Sequence, residues 1–131
     1  MDENEEMNQI EKTPGGKIDI SDQVITDVVI LTLAKLEGKE INQKSKEYKY
    51  YRKQVSIDRK DEDSISVAVK TKIKYGEKIP EVSKKIQQEI TQEVENITGL
   101  KVIAVNVLVE DVITPNRSEE EYNEDETEDQ E

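Results

Sequence analysis

The sequence contains no cysteine, histidine, tryptophan or phenylalanine. Without cysteine the chain has no disulfide, no thiolate nucleophile and no thiolate metal site. Without histidine it lacks the commonest general base and the usual nitrogen ligand of zinc. It also lacks a P-loop and a G-x-G-x-x-G motif. We therefore expect no catalytic residues, no cofactor and no metal site, and a protein that is not an enzyme.

Long hydrophobic runs are also missing. The longest apolar stretch, 28–36, contains Thr32 and Lys35 and is far too short to span a bilayer. The N-terminus carries acids where a signal peptide needs bases and an apolar run. We expect a cytoplasmic protein with no direct membrane insertion, which reaches a membrane only through a partner.

The net charge of −12 comes from the ends of the chain. Residues 1–12 hold five acids and one base, and residues 110–131 hold eleven acids and one base, which leaves 15 acids and 17 bases between them. Segments this polar cannot bury enough apolar surface to fold. We predict a disordered acidic tail at 1–14, one folded domain at 15–112 and a second disordered acidic tail at 113–131.

The first half of the domain is the harder half to interpret. Residues 17–20 alternate polar and apolar, which predicts a short strand. Ser21 is a good N-cap for a helix over 22–36, whose wide apolar face must be deeply buried or covered by another subunit. Residues 39–54 are strongly polar, and we expect an irregular loop or an edge strand there.

The second half shows clearer periodicity. Short alternation at 55–58 and long alternation at 65–75 predict a β-hairpin. Apolar residues spaced by three and four from Val82 to Ile97 predict a helix, which Gly99 ends. Residues 100–109 are apolar on both faces, which predicts an inner strand or one covered by a neighbour. The fold class is α/β (α+β), a two-layer sandwich of β-α-β-β-α-β order with two helices on one face of a mixed sheet.

Two clusters of charged residues could bind a ligand. Asp61, Glu62 and Asp63 could hold Ca²⁺ or Mg²⁺, although a solvated turn is the simpler interpretation. A basic row on one strand, together with tyrosines from the 39–54 segment, could contact phosphates, bases or a protein. This candidate interaction surface consists of Lys70, Lys72, Lys74, Tyr48, Tyr50 and Tyr51. The simpler interpretation of the lysines is a solvated sheet face.

Four segments together resemble one known family. They are G-K-I-D-I-S at 16–21, Y-G-E-K-I-P-E-V at 75–82, V-E-N-I-T-G-L-K-V at 94–102 and V-N-V-L-V at 105–109. This pattern is similar to the alkaline shock protein (Asp/Gls) family of Gram-positive bacteria, and the resemblance covers about 16–112.

The resemblance implies a non-enzymatic envelope stress response protein that supports cell-envelope homeostasis. It implies a cytoplasmic scaffold or adaptor that self-associates as a homo-oligomer and gathers near the membrane through a membrane-anchored protein partner. It carries over no catalytic residues. It gives structural roles to Gly16, Gly76, Pro80, Gly99 and Asn106.

Two other functions stay open from the residues alone. The predicted element order is that of small RNA-binding sandwiches, although the aromatic pair and the GXXG clamp are absent, and the acidic tail would compete for the same lysines. We therefore expect no nucleic-acid partner. The other possibility is a regulatory subunit of a metabolic enzyme. Such a subunit would need only a binding surface, and nothing in the sequence distinguishes this function from that of a scaffold.

Overall fold

The structure of the chain is a computed structural model that describes residues 15–115. The predicted tail at 1–14 and nearly all of the one at 113–131 lie outside the described residues. The described part is an α+β unit of three helices and a three-stranded mixed sheet, in the order α-α-β-β-α-β. Its elements are α1 (Asp22–Leu36), α2 (Lys46–Gln54), β1 (Val55–Arg59), β2 (Ser64–Lys74), α3 (Ile79–Thr98) and β3 (Lys101–Ile113).

The mixed sheet is confirmed, but the predicted β-α-β-β-α-β order is wrong in its first element. Residues 17–20 form no strand. The Arg59 guanidinium donates to the carbonyl of Ile20 and, through Nε, to Asp22 at 2.9 Å. A side chain of β1 therefore fixes this segment, and the alternation around Ile20 reflects one half-buried side chain rather than strand pairing.

The segment 39–54 is not a loop or a strand throughout, because it contains α2. Ser45 caps this helix by accepting from the Tyr48 amide at 3.1 Å, and Glu47 lies in the first turn. Tyr48 and Tyr51, three residues apart, both lie on the buried side of α2. The helix is short and mostly charged, so burial of its tyrosines rather than helix propensity stabilises it.

The two long helices agree with the sequence. Ser21 caps α1 by accepting from the Val24 amide at 3.3 Å. Pro80 lies in the first turn of α3, and Gly99 follows its end with a φ of 78°. This left-handed backbone conformation is costly for any residue with a Cβ, so glycine is the natural terminator of α3.

The sheet has the order β1-β2-β3. β1 pairs antiparallel with the first half of β2, as the hairpin prediction requires, and β3 runs parallel to β2 along its length. Because β1 ends its pairing at Val69, the second half of β2 has no strand on that side. Helix α2 lies beside it instead, with Tyr50 near Lys72.

One face of the sheet carries the hydrophobic core. Helices α1 and α3 pack on each other and on this face. Fully buried residues come from both helices and from the central strand: Ile25, Val29, Ile30, Ile90, Val94, Ile65, Val67 and Val69. The other face carries exposed residues, among them Ala68, Lys70, Asn106 and Leu108. The helices therefore cover one side of the sheet, as predicted, and leave the other side open.

β3 is an edge strand, so the prediction of an inner strand is wrong. Its apolar residues on the core face pack under α3, whereas Leu108 on the open face is 55% exposed. The sequence pattern was a poor guide here because a strand that is apolar on both faces can be inner or can be covered by another molecule. The alternative, that a neighbouring molecule covers β3, stays a prediction.

Candidate functional site

The most unusual surface of the described residues is the outer edge of β3. Two irregularities interrupt its pairing with β2, one next to Ile103 and one next to Glu110. Between them, residues 104–109 form a regular strand with the sequence Ala-Val-Asn-Val-Leu-Val. A six-residue strand with no charge and no proline is the type that pairs readily with another strand.

Polar side chains of α3 cap the first part of this edge. The Val102 amide donates to Glu95 Oε2 at 3.0 Å, and Gln87 Nε2 donates to the Val105 carbonyl at 3.0 Å. Such capping hinders pairing with another strand. Because backbone groups two residues apart point to the same side of a strand, Val107 and Val109 direct theirs away from β2, as Val105 does. The edge that is open to a partner therefore starts at Val107.

Large apolar side chains accompany this edge. Ile103 is 54% exposed and Leu108 is 55% exposed, and Val112 is also exposed. Single exposed apolar residues are ordinary on a protein surface. A row of them along an unpaired strand is different, because exposed edge strands are usually short, charged or covered. We call residues 104–109, with these three side chains, the β3 edge surface.

The predicted lysine row lies where the alternation of β2 placed it. Lys70, Lys72 and Lys74 alternate with the buried Thr71 and Ile73, so the three lysines lie on the open face. The Lys72 ammonium lies 5.5 Å from the centre of the Tyr50 ring, within the range of a cation–π interaction. Asp111 pairs with Lys72 in the strand register and brings one carboxylate into the row.

Helix α2 extends this positive surface. Lys46 and Lys53 flank Tyr50 at helical spacing, Lys49 lies one turn from both, and all three lysines are exposed. Since Tyr50 contacts Lys72, α2 and the second half of β2 lie side by side, and we treat their lysines as one surface. We call it the basic band, and its members are Lys46, Lys49, Lys53, Lys70, Lys72 and Lys74.

The predicted tyrosines are not on this surface. Tyr48, Tyr50 and Tyr51 are all buried, with exposed fractions of 8% or less. Tyr50 and Tyr51 meet edge to face with ring centres 5.6 Å apart. The three rings belong to the hydrophobic core that holds α2 in place, so only the lysine part of the expected interaction surface is accessible in this structure.

The tyrosine hydroxyls attach α2 to α1. The Tyr48 hydroxyl donates to Asp27 Oδ1 and accepts from Gln23 Nε2 at 3.0 Å. Gln43 donates to the other oxygen of Asp27 at 2.8 Å, and the Tyr51 hydroxyl donates to Glu37 at the end of α1. Burial, followed by the bond to the Asp27 carboxylate, raises the pKa of Tyr48 above its ordinary value near 10.

This raised pKa predicts a loss of stability in alkali. Above about pH 10 the unfolded chain releases the Tyr48 proton before the folded chain does, so stability falls until the folded-state pKa is passed. We expect Tyr48→Phe to cost about 1–2 kcal/mol at neutral pH, because Asp27 loses a donor. The difference between variant and wild type should shrink as the pH rises above about 10, in urea unfolding at each pH.

Tyr75→Phe is the matched control for this prediction, because Tyr75 is 75% exposed. It should leave the free energy of unfolding within about 0.5 kcal/mol of wild type at every pH. A Tyr48→Phe difference that stays constant through the alkaline range would show that ionisation of Tyr48 is not linked to folding.

The acidic cluster at 61–63 forms a tight turn between β1 and β2. Asp61 Oδ1 accepts from the Asp63 amide at 2.8 Å, and this bond lowers the pKa of Asp61. Within residues 15–115, no three acidic side chains converge as ligands for a metal ion. The interpretation as a solvated turn is therefore the one that the geometry supports.

The family resemblance gives structural roles to five residues. Three of them lie at the ends of helices or strands, one lies in β3 and one lies before α1. Gly76 follows β2 with a φ of 101°, and Gly16 precedes the segment fixed by Arg59 with a φ of 110°. Pro80 and Gly99 begin and end α3. Asn106 pairs with Ala68 and is exposed on the open face, so it lies at the β3 edge surface rather than in the core.

Sequence reasoning missed two features of these surfaces. It did not place α2 beside the lysine row, although Ser45 and the spacing of Tyr48 and Tyr51 were signals of a helix. It also did not predict which part of the β3 edge is capped. The hydrogen bond from Gln87 to the Val105 carbonyl joins residues that are far apart in the sequence. No local pattern encodes that contact.

Together these surfaces define the class of this chain, a small α+β domain with one open sheet face, one open strand edge and a basic band. The chain belongs to the alkaline shock protein 23 family, which is described as having a cell envelope-related function, and the family match covers residues 10–114. The resemblance seen in the sequence is thereby confirmed. No solved structure matches the chain. Among residues 15–115, no helix is both long enough and apolar enough to cross a membrane.

Proposed function

We propose that this chain is a non-enzymatic scaffold or adaptor for cell-envelope homeostasis, and that it self-associates by pairing the β3 edge surface with that of a second copy. The observation that carries the proposal is the uncharged strand 104–109 at the edge of the sheet, whose backbone is open to a partner from Val107 onward. Antiparallel pairing of two such edges is self-complementary and would join two three-stranded sheets into one of six strands.

The exposed apolar residues support the same arrangement. Leu108 lies on the open face directly beside the edge, so two paired copies bring their Leu108 side chains close together across the new sheet. Burial of such side chains stabilises association in addition to the backbone hydrogen bonds. The charged residues Glu110 and Asp111 limit the pairing to the strand before the second irregularity.

The adaptor part of the proposal concerns a second partner. We propose that the protein is cytoplasmic and that a membrane-anchored protein provides the contact at the membrane that an envelope-related function needs. We assign this contact to the open face of the sheet, where Ala68 and Asn106 are exposed and which edge pairing leaves uncovered.

RNA binding is not the function that the geometry favours. Base stacking needs exposed aromatic rings on the sheet. Tyr48, Tyr50 and Tyr51 are buried, and Tyr75 lies beyond the end of β2. On the described open face the residues near Lys70 are small, aliphatic or polar.

Sedimentation velocity tests the self-association. We expect the full chain to sediment as a monomer at nanomolar concentration and as a dimer or larger species at high micromolar concentration. Affinity capture with cross-linking from the membrane fraction of the native host tests the adaptor role. A strict monomer at high micromolar concentration, with no captured protein, would contradict the proposed function.

A further inference from the structure

Within the part of the chain that the structure describes, the basic band holds more positive charge than the carboxylates beside it hold negative charge. Residues 15–115 contain 17 bases and 17 acids, so this part of the chain is neutral. The band concentrates six of the bases on α2 and the second half of β2. Asp111 is in register with Lys72, and Glu47 lies in α2, where Lys39 contacts it at 3.5 Å. Glu37 lines a cleft together with Lys70 and Lys72, and Glu77 accepts from the Lys74 amide at 3.0 Å. Four carboxylates against six lysines still leave an excess of positive charge on the band.

The chain that follows β3 has the opposite character. Residues 116–131 contain nine acids and one arginine, a net charge of −8. This charge exceeds the excess of positive charge on the basic band. The segment contains no run of apolar residues, so a hydrophobic groove is not what it would occupy. A positively charged surface is the site that fits its chemistry.

The topology places the start of this segment beside the band. β3 is parallel to β2, and its last residue, Ile113, pairs with Lys74, the last residue of the band on the strand. The Tyr75 amide also donates to the Ile113 carbonyl at 2.9 Å. The chain therefore leaves the sheet one strand spacing, about 5 Å, from the lysine row.

The length of the segment is sufficient. Lys70 and Lys74 are four residues apart, a distance of about 13 Å along the strand. Sixteen residues can extend over as much as about 50 Å. A segment joined to the sheet this close to its site has an effective concentration in the millimolar range, which favours contact within one molecule over contact between molecules.

We propose that the acidic C-terminal segment, residues 116–131, docks on the basic band of its own chain and screens these lysines from other polyanions. Each contact is an exposed ion pair and is individually weak, so the docking depends on many pairs at once. It is therefore sensitive to ionic strength, since salt screens exposed charges beyond about 10 Å at 0.1 M. An acidic or phosphate-bearing surface has to displace the segment before it can bind the band. This inference does not depend on pairing through β3.

Zero-length carbodiimide cross-linking of the full chain, followed by mass spectrometry, tests the docking. The reagent joins a lysine to a carboxylate only when the two are in contact. We expect cross-links from residues 119–131 to Lys49, Lys70 and Lys74, lost at high salt. The exposed lysines Lys84 and Lys85 of α3 are the internal control and should give at least about tenfold fewer links, because they lie outside the band.

An equal mixture of ¹⁵N-labelled and unlabelled chains identifies the occupant. Cross-linked peptides of uniform isotope content show docking within one molecule, whereas peptides of mixed content show that a second copy supplies the acidic segment and overturn the proposal. Links spread equally over Lys84, Lys85 and the basic band would overturn it too, as would the absence of links. The test of β3 pairing has a different readout, so the two proposals can fail separately.

A second measurement tests the screening. In the full chain, replacing the nine acids of 116–131 by their amides should raise the affinity for heparin by at least about tenfold at low salt. Adding Lys70→Gln and Lys74→Gln should remove most of this gain, whereas adding Lys84→Gln and Lys85→Gln should remove much less. Equal effects of the two lysine pairs would show that only net charge matters and would contradict docking on the band.

Discussion

Replacing Val107 with proline is expected to weaken self-association of the chain by about 5- to 150-fold. The Val107 amide points away from β2, so proline removes no bond within the sheet and is tolerated at an edge strand. In a symmetric pair of edges the substitution removes one hydrogen bond from each copy. Each is worth about 0.5–1.5 kcal/mol, and every 1.4 kcal/mol is a factor of about ten in the dissociation constant. Sedimentation across a concentration series measures the change.

Val107→Ala is the matched control for this variant. Val107 is half-buried against the core, so both substitutions lose packing of the valine side chain, but only alanine keeps the backbone N–H. We expect the alanine variant to lose stability while it self-associates as the wild type does. The proline variant should be folded by circular dichroism and should self-associate about 5- to 150-fold more weakly. If both variants associate as the wild type does, the edge of β3 is not the interface.

Replacing Ile90 with alanine is expected to have the largest effect on stability, a loss of about 2–5 kcal/mol. Ile90 is fully buried in the middle of α3, in the core between this helix and the sheet. Alanine leaves a cavity there that the packed layers cannot fill. A domain of this size has about 5–15 kcal/mol in total, so urea unfolding should show a much lower midpoint.

Ile97→Ala provides the comparison on the same helix. Ile97 has the spacing of the apolar stripe but is 61% exposed at the end of α3. Its replacement should change the free energy of unfolding by no more than about 0.5 kcal/mol. Equal losses at the two positions would mean that α3 packs on the sheet by a different face from the one described.

The second half of the fold could be predicted from the sequence because its signals are local. The alternation along β2, the apolar stripe of α3 and the terminating Gly99 each determine an element without reference to the rest of the chain. The family resemblance rested on this half as well. Only the position of β3 in the sheet could not be predicted, because apolar residues on both faces do not say which molecule covers them.

The first half was predicted less well because tertiary contacts determine it. Ile20 is fixed by Arg59, which lies almost forty residues away. Helix α2 depends on three buried tyrosines, and two of their hydroxyls bond to carboxylates of α1 and its C-cap. Neither contact leaves a periodic signal, so a polar segment that looks like a loop folds as a helix.

The candidate surfaces, too, could be predicted where the signal is local and could not be predicted where tertiary contacts decide. The lysines of β2 were identified from alternation and lie where it placed them, on the open face. The tyrosines were grouped with them because lysines and exposed aromatic rings together could bind phosphates and stack bases, although tyrosine is equally suited to a core that lacks phenylalanine and tryptophan. In this chain the three tyrosines are buried in the core, and the exposed lysines of α2 lie beside the lysines of β2 instead.

Residue-resolved amide hydrogen exchange of the full chain tests most directly whether the β3 edge is the self-association surface. The amides of Val107 and Val109 should exchange at nearly the rate of unprotected amides in dilute solution and should become progressively protected as concentration rises. The buried amides of β2 should be protected at every concentration. If the chain forms oligomers while Val107 and Val109 still exchange freely, its copies associate through another surface and the proposed assembly is wrong.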